Sequence, residues 1–339
     1  MELYVGMDLH SRNTYFGILN EEFKRIFKKR VNNGLPLILN TLEPFKDEVK
    51  GIVVESTYNW YWLVDGLMDA GYAHIHLANP SAIKQYEGLK YTDDPHDAFW
   101  LAKLLALGIL PEGYIYPKES RPVRDLLRRR SFLVRNRTRY IHSLQSMIER
   151  YANLRLSGKD LKKLEMKDIE DILKEEHLVL SGETCLENIK SLTRQINRIQ
   201  KAVKSKMRIH KPFDLLMTIP GIGEILALTI MLEVGDIGRF PSVGDFTSYC
   251  RCVPTDRRSA GKSKGKGNSR NGNRYLAWAF VEASNFARGF NERFRRYYQR
   301  KASKKNKIVA TKALGSKLAR ISYYIMRDQV PFREEAAFC

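Results

Sequence analysis

The first hundred residues constrain the fold most, because short apolar runs with the two-residue period of strands give way to stretches with helical spacing. Leu3-Tyr4-Val5-Gly6-Met7-Asp8 alternates and ends on an acid, and Tyr15 to Leu19 and Phe23 to Phe27 continue it as a meander. A helical segment over about Leu35 to Phe45 precedes Gly51-Ile52-Val53-Val54, an apolar run suited to a buried strand. A helix near Trp60 to Ala70, a strand at Ala73 to Ala78 and another helix from Pro80 follow. Three strands and then β/α alternation predict an α/β domain with a mixed sheet.

The character changes near Pro122. Arg121 to Arg139 holds eight arginines against one acid, Asp125, too one-sided for a simple spacer. Leu186, Ile189, Leu192, Ile196, Ile199 and Val203 recur at spacings of three and four, which predicts an amphipathic or coiled-coil helix. A third block opens with Ile219-Pro220-Gly221-Ile222-Gly223 and an apolar helix. Such a helix-hairpin-helix-like turn either offers backbone N–H groups to a phosphate or merely packs two helices. With 339 residues the chain divides into an α/β domain over 1–120, a helical coiled-coil region over 121–208 and a mainly helical domain over 209–339.

The formal charge of +20 sets the partner class. An enzyme for small molecules has no need of that excess, whereas a chain neutralising phosphates does; a ribosome-associated or anionic-lipid-binding protein is the plainer alternative. Candidate phosphate contacts are Arg121, Arg124, Arg128, Arg129 and Arg130 in the first basic run. A second run, Arg257 to Tyr275, has seven basic residues and no acid, reads as an exposed loop ordered by its ligand, and adds Arg257, Arg258, Lys262, Lys264, Lys266, Arg270 and Arg274. A third, Arg293 to Lys307, adds Arg295 and Arg296, with Phe294, Tyr297 and Tyr298 interleaved as stacking candidates. The longest apolar stretch, Ile225 to Leu232, is far short of the ~20 residues that span a bilayer, and no secretory signal opens the chain. Four cysteines without metal-ligand spacing read as free thiols. A cytoplasmic protein, nucleoid-associated when bound to DNA and without a membrane partner, is expected.

Four carboxylates stand where a metal-dependent nuclease needs them. Asp8 ends the first strand, Glu55 ends the buried strand, and Asp94 and Asp97 lie three apart at the start of a helix, hence on one face. Strand ends and helix starts converge at one sheet edge. Clustered carboxylates need a cation, and hard oxygen ligands favour Mg²⁺ or Mn²⁺. Asp8 as a turn former and Asp94 as an N-cap are the plainer readings, and Asp93 competes with Asp94.

Gly6-Met7-Asp8, Val54-Glu55-Ser56-Thr57 and Thr92-Asp93-Asp94-Pro95-His96-Asp97-Ala98 resemble the Asp-Glu-Asp-Asp (DEDD) signature of insertion-sequence transposases of the "one-ten" family, which includes the Piv DNA invertase. The third block resembles the family's C-terminal transposase domain: Ile219 to Gly223, Asp236-Ile237-Gly238-Arg239-Phe240, Pro254 leading to Ser259-Ala260-Gly261-Lys262, and Asn271-Gly272-Asn273-Arg274. The resemblance spans nearly the whole chain in the right order. The doubled Asp93-Asp94 departs from the family's single acid, and the D-x-x-D-A spacing selects Asp94 with Asp97. It implies an N-terminal domain with the RuvC-like form of the ribonuclease H fold and a metal site at Asp8, Glu55, Asp94 and Asp97. It also implies a structured bridge RNA that pairs with donor and target DNA, a homodimer or homotetramer, and site halves supplied by different subunits.

By itself Ser259 is a serine beside glycine in a basic loop. The resemblance makes it the family's nucleophile, five residues after Pro254, where Arg257, Arg258 and Lys262 would hold the scissile phosphate. Ser242 competes but reads more easily as an N-cap for a helix through Asp245-Phe246. The expected function is DNA strand cutting and rejoining. The alternatives are a RuvC-like nuclease or Holliday-junction resolvase that uses water, an invertase without guide RNA, and a catalytically silent nucleic-acid-binding protein.

Overall fold

The computed structural model describes residues 1–83, 94–206, 211–253, 256–260, 262–266 and 271–338. The chain divides into two compact units, Met1–Lys118 and Glu119–Cys339.

In the first unit β1 (Leu3–Leu9), β2 (Asn13–Asn20) and β3 (Arg25–Asn32) form an antiparallel meander. β4 (Val49–Glu55) lies parallel to β1, β5 (Ile75–Ala78) lies parallel to β4, and the two-residue β6 (Glu112–Gly113) pairs antiparallel with β5. The order β3-β2-β1-β4-β5-β6 is the mixed sheet expected from the alternation. β3 starts later and runs farther than its apolar residues indicate. It is an edge strand, largely exposed, so backbone pairing extends it through Lys28, Lys29 and Arg30 without an apolar period. The helix expected to reach Phe45 stops as α1 (Leu35–Leu42) and tightens into a 3₁₀ turn (Glu43–Glu48) at Pro44, which has no N–H to continue the ladder.

The two faces of the sheet are covered by different helices, and strand periodicity assigns the side chains. Leu3, Val5, Met7, Ile52 and Val54 join one core with Ile38 and Leu42 of α1 and Leu63, Val64 and Leu67 of α2 (Tyr61–Asp69). The alternate positions face α4 (Asp94–Ala106), which follows the short α3 (Pro80–Ile83); Val53 packs with Leu101 and Leu104 of α4.

In the second unit α5 (Arg121–Ala152) and α8 (Glu176–Lys206) form a long pair, with α6 (Gly158–Leu161) and α7 (Met166–Leu173) between them in sequence. Ile141, Leu144 and Ile148 pack with Cys185, Leu186 and Ile189, whereas Leu127 packs with Val203, so the two helices run antiparallel. The repeating apolar positions of α8 are thus its partner face. Then come α9 (Lys211–Met217), α10 (Glu224–Val234), a 3₁₀ turn (Ile237–Arg239), α11 (Val243–Tyr249), the hairpin β7 (Asp256–Ser259) and β8 (Lys262–Lys266), α12 (Arg274–Phe290), α13 (Glu292–Lys304), α14 (Lys307–Asp328) and α15 (Glu334–Phe338). Their core holds Ile230, Phe246, Leu276, Phe280, Phe294 and Leu314, and apolar packing of Leu228 and Leu232 against Leu127 and Val203 joins it to the α5–α8 pair.

Sequence capping signals decide where these helices start. Asn273, Asn291 and Asn306 each accept hydrogen bonds from the first turn of α12, α13 and α14. Ser242 caps α11 in a reciprocal box with Asp245, as its context indicates. The basic run expected to be a loop after Arg257 instead contains β7 and β8, because a hairpin can be closed by backbone pairing alone; Ala260, with φ 48°, sits in its turn.

Candidate active site and basic surfaces

Asp8 and Glu55 meet because of strand parity. β1 and β4 are parallel neighbours paired through Gly6↔Val53 and Met7↔Val54, so Asp8 and Glu55 are the next positions along adjacent strands, both toward α4. Nothing larger than glycine fits beneath that helix. A Cβ on Gly6 would lie 1.8 Å from the Ala98 carbonyl oxygen, and one on Gly17 would lie 2.8 Å from the Phe99 nitrogen. These two glycines let α4 rest on the sheet backbone at Ala98, Phe99 and Ala102, which brings the preceding Asp97 next to Asp8 and Glu55.

The carboxylates interact strongly. Asp8 is buried, and its Oδ2 lies 3.0 Å from His10 Nε2. Burial, the hydrogen bond with Asp8 and the charges of Asp8 and Asp97 push the Glu55 carboxyl up to about 7, against an opposing contribution from His10. His10 is fixed in turn, since its carbonyl accepts from Asn33 Nδ2 at 2.9 Å and Asn59 Nδ2 at 3.3 Å, and its ring meets Tyr15 edge-on. Asp94 begins α4, but its side chain and all of Asp93 lie outside the described residues. Among the described residues no three His, Cys, Asp or Glu side chains already form a cation-holding group. The donor set nevertheless suits a hard cation, being carboxylate oxygens crowded enough for one of them to retain its proton near neutrality.

The second unit has a different polar centre, on Glu233 of α10. Arg128 donates to its two oxygens from Nε and Nη2 at 2.6 and 2.8 Å, Arg124 Nη2 lies at 3.1 Å, and Asn273 Nδ2 donates at 2.7 Å. Burial raises the Glu233 carboxyl, but Arg128, Arg124 and Asn273 outweigh it and hold the group below its ordinary range. Asn273 therefore caps α12 with its oxygen while tying that helix to α5 and α10 with its nitrogen. In the preceding turn Gly272, at φ +86°, lies so near the Tyr249 carbonyl that a Cβ would stand 2.5 Å from it.

The expected phosphate contacts divide accordingly. Arg121 and Arg124 are buried, and Arg124 with Arg128 neutralises Glu233, so helical periodicity turns these members of the arginine run inward. Arg129 is exposed and Arg130 half-buried. Lys262, Lys264, Arg274, Arg295 and Arg296 are exposed, although Arg295 hydrogen-bonds the carbonyls of Arg288 and Gly289 and Arg296 pairs with Glu292. Ser259 is the last residue of β7, paired with Lys262 across the turn. The side chains of Ser259, Arg257, Arg258 and Lys266, and the whole of Arg270, lie outside the described residues. Of the interleaved aromatics, Phe294 and Tyr298 are core residues rather than a stacking surface, because their four-residue spacing puts both on the buried face of α13. In the glycine turn, Gly221 at φ +93° has Ala287 N 2.5 Å from where its Cβ would stand, so it serves helix packing.

Comparison with known proteins agrees in both units. Residues 5–153, from β1 through α5, match the model of the DEDD transposases of the IS110 type, and residues 213–299, from α9 into α13, match that of the transposase IS116/IS110/IS902 family. The chain belongs to this transposase family. The family matches take in Asp8, Glu55 and Asp97 in one unit and Glu233 and Ser259 in the other. A probable family 20 transposase of Pseudomonas aeruginosa is 22% identical over 284 residues, 80% of this chain and 82% of that protein. The transposase for insertion sequence element IS1328 of Yersinia enterocolitica is 29% identical over 148 residues, 42% of this chain and 43% of its own length. An insertion element IS110 protein of Streptomyces coelicolor is 26% identical over 170 residues, 48% of this chain and 42% of its own. The chain thus spans less than half the length of the last two relatives.

Two residues of this IS110-type chain escape motif reading. His10 is two positions beyond Asp8 on a strand-to-strand turn, and Asp-x-His at a strand end is its one local signal. Glu233 gives no signal in sequence, being an acid inside an apolar helix whose partners lie 40 and more than 100 residues away.

Proposed function

We propose that this family member is a DNA recombinase that cuts and rejoins DNA strands, with the carboxylates of the first unit and Ser259 of the second as its chemical groups. The observation that carries the reading is the meeting of Asp8, Glu55 and Asp97 at one sheet edge, where burial, the hydrogen bond with Asp8 and mutual repulsion raise Glu55 to about 7. A chain of charge +20 has no structural need for such an anionic cluster, whereas a site for a divalent cation at a phosphodiester does. The strand order β3-β2-β1-β4-β5, antiparallel and then parallel, supports a RuvC-like ribonuclease H fold. The turn between α9 and α10 supports a helix-hairpin-helix-like element in a C-terminal transposase domain distinct in role from the coiled coil.

Asp8, Glu55, Asp97 and Asp94 would hold Mg²⁺ or Mn²⁺, which when bound supplies neutralisation of charge on the phosphate and a more acidic nucleophile. His10 keeps Asp8 oriented. The Ser259 hydroxyl, losing its proton, bonds to phosphorus; the bond from phosphorus to the departing deoxyribose oxygen breaks, and that oxygen gains a proton. Attack by an exchanged strand's hydroxyl reverses these changes and frees the serine. Lys262, Lys264 and Arg274 are exposed for phosphate contact, and Arg257 and Arg258 belong to the same hairpin. Donor and target DNA chosen by a structured bridge RNA, in a dimer or tetramer, completes the reading on the strength of the sequence resemblance.

The test compares Ser259→Ala with Asp8→Asn on DNA substrates carrying the element's ends. The recombinase reading expects loss of a covalent protein–DNA link in Ser259→Ala and loss of all cleavage in Asp8→Asn. Mg²⁺-dependent cleavage that survives in Ser259→Ala, with no covalent link in the parent protein, replaces it with a nuclease or resolvase using water. Sequencing the nucleic acid that copurifies tests the guide: one discrete RNA supports it, and heterogeneous RNA withdraws it in favour of direct DNA recognition.

A further inference from the structure

A cleft of about 750 Å³ in the second unit lies outside the chemistry described above. Arg130 and Arg137 of α5 line it, as do Trp278, Glu282, Phe286 and Phe290 of α12. Its composition is unusual in two ways. Phe286 and Phe290 are 49% and 79% exposed and stack on each other, with ring centroids 6.4 Å apart and planes 15° apart. The Nε atoms of Arg130 and Arg137 are buried without a hydrogen-bond partner among the described residues, and burial lowers the affinity of both guanidinium groups for their protons. Exposed aromatic rings beside half-buried guanidinium groups whose Nε atoms lack an acceptor call for an occupant that is flat on one side and anionic on the other.

The remaining charges narrow the choice. Lys204 in the wall is already paired with Glu224, and Arg137 Nη1 donates to Thr193 Oγ1 at 3.2 Å, which leaves the Nε groups of Arg130 and Arg137 as the cationic donors that need an acceptor. Glu282 is the remaining acid, and a carboxylate there would repel a phosphate but accept from the exocyclic amine of a base. The glycine turn also contributes. Gly221 is explained by its contact with α12, but a Cβ on Gly223 would meet nothing within 4 Å, and its φ of −91° suits any residue. Gly223 is the N-cap of α10, makes no side-chain cap and lines the cleft, so the first N–H groups of α10 are left uncovered at this wall.

We propose that this cleft receives an unpaired nucleotide of the DNA strand, its base against Trp278, Phe286 and Phe290 and its phosphate on Arg130 and Arg137. The assignment to DNA rests on the recombinase reading; the assignment to an unpaired nucleotide rests on the aromatic and guanidinium lining. A duplex keeps its bases stacked inside and would offer this lining only phosphates, which do not use the rings. Within the proposed reaction, a strand end that has left its partner is the species the cleft would hold during exchange.

The full-length chain is tested with a short single-stranded DNA carrying one fluorescent aminopurine, with the same strand made abasic at that position, and with a duplex. The proposal expects quenching of the aminopurine on binding, and about 10-fold weaker binding by Phe286→Ala and by Phe290→Ala. The abasic strand should bind the parent protein about 10-fold more weakly as well, with no further loss in either variant. Arg130→Gln should weaken intact and abasic strands alike and lower the salt dependence by about one counterion. Phe290 is largely exposed, so its variant folds as the parent does, which circular dichroism checks. Duplex binding without quenching, and with affinity unchanged in Phe290→Ala, overturns the proposal and leaves the recombinase reading standing. Failure to bind DNA in any form overturns both. Quenching with the matching RNA strand only, or a change of sedimentation in Phe290→Ala with unchanged DNA affinity, assigns the cleft to another occupant and overturns the proposal.

Discussion

Gly6→Ala is the smallest change that tests how the acidic site is assembled. The added Cβ would stand 1.8 Å from the Ala98 carbonyl oxygen and 2.9 Å from Ala102 N, both backbone atoms of α4, so no side chain can turn aside to admit it. To reach even 3.0 Å, α4 must retreat by about 1.2 Å from β1, and Asp97 sits in the turn that moves. Overpacking of this kind costs about 1–3 kcal/mol. For a unit near a hundred residues each kcal/mol lowers the melting temperature by roughly 4–8 °C, so a fall of about 5–20 °C is expected in differential scanning calorimetry. A displacement of ~1 Å at a reacting centre costs on the order of 10²-fold in rate, so DNA cleavage should fall by about that factor even where the variant is folded. A variant that melts with the parent protein and cleaves DNA at the parental rate would refute the claim that close approach of α4 to the sheet positions Asp97.

Four further outcomes follow from the same structure. Glu233→Ala strips the partner from Arg124, Arg128 and Asn273 together, and loss of a buried pair should destabilise the second unit by about 3–5 kcal/mol in urea unfolding. In cation-free buffer the folded Glu55 keeps its proton to about pH 7, whereas the ordinary value is 4.5. At this group the folded state therefore binds more protons between those values, so the contribution of Glu55 to stability should be fullest below about pH 4.5 and be lost as pH rises through 7. Glu55→Gln should flatten that decline, and added Mg²⁺ should raise the melting temperature more at pH 8 than at pH 5.5 (both set as roughly one unit or more either side of the Glu55 transition). Gly221→Ala, which meets Ala287 N at 2.5 Å with φ at +93°, should destabilise, whereas Gly289→Ala, with open space around its Cβ in α12, should stabilise by about 0.5 kcal/mol in the same assay. Ser242→Ala should cost about 1 kcal/mol through loss of its cap and leave DNA chemistry intact, which separates it from Ser259→Ala.

Much of the architecture is legible in the residues because the signals are local. Alternation in Leu3–Asp8 and the apolar run of Gly51–Val54 mark the central strands, the three-and-four spacing of Leu186 to Val203 marks α8, and Ser242 with Asp245 marks the start of α11. Where apolar period is missing, backbone pairing alone holds the strands, so the far half of β3 and the whole β7–β8 hairpin escape notice. The same blindness affects the basic and aromatic runs. Arg121, Arg124, Phe294 and Tyr298 look like ligand contacts in a list of charges and rings, and the helices turn them into the core.

The sequence by itself determined that acids end two strands and begin a helix, and that the chain as a whole carries a large positive charge, because strand ends and caps are properties of neighbouring residues and net charge is a sum over them. Only the tertiary structure decided that Asp8 and Glu55 are lateral neighbours on one face, that Gly6 and Gly17 let Asp97 join them, and that Glu233 gathers Arg124, Arg128 and Asn273. Those outcomes depend on register between strands and on contacts between residues far apart in the chain, distances that no local pattern encodes.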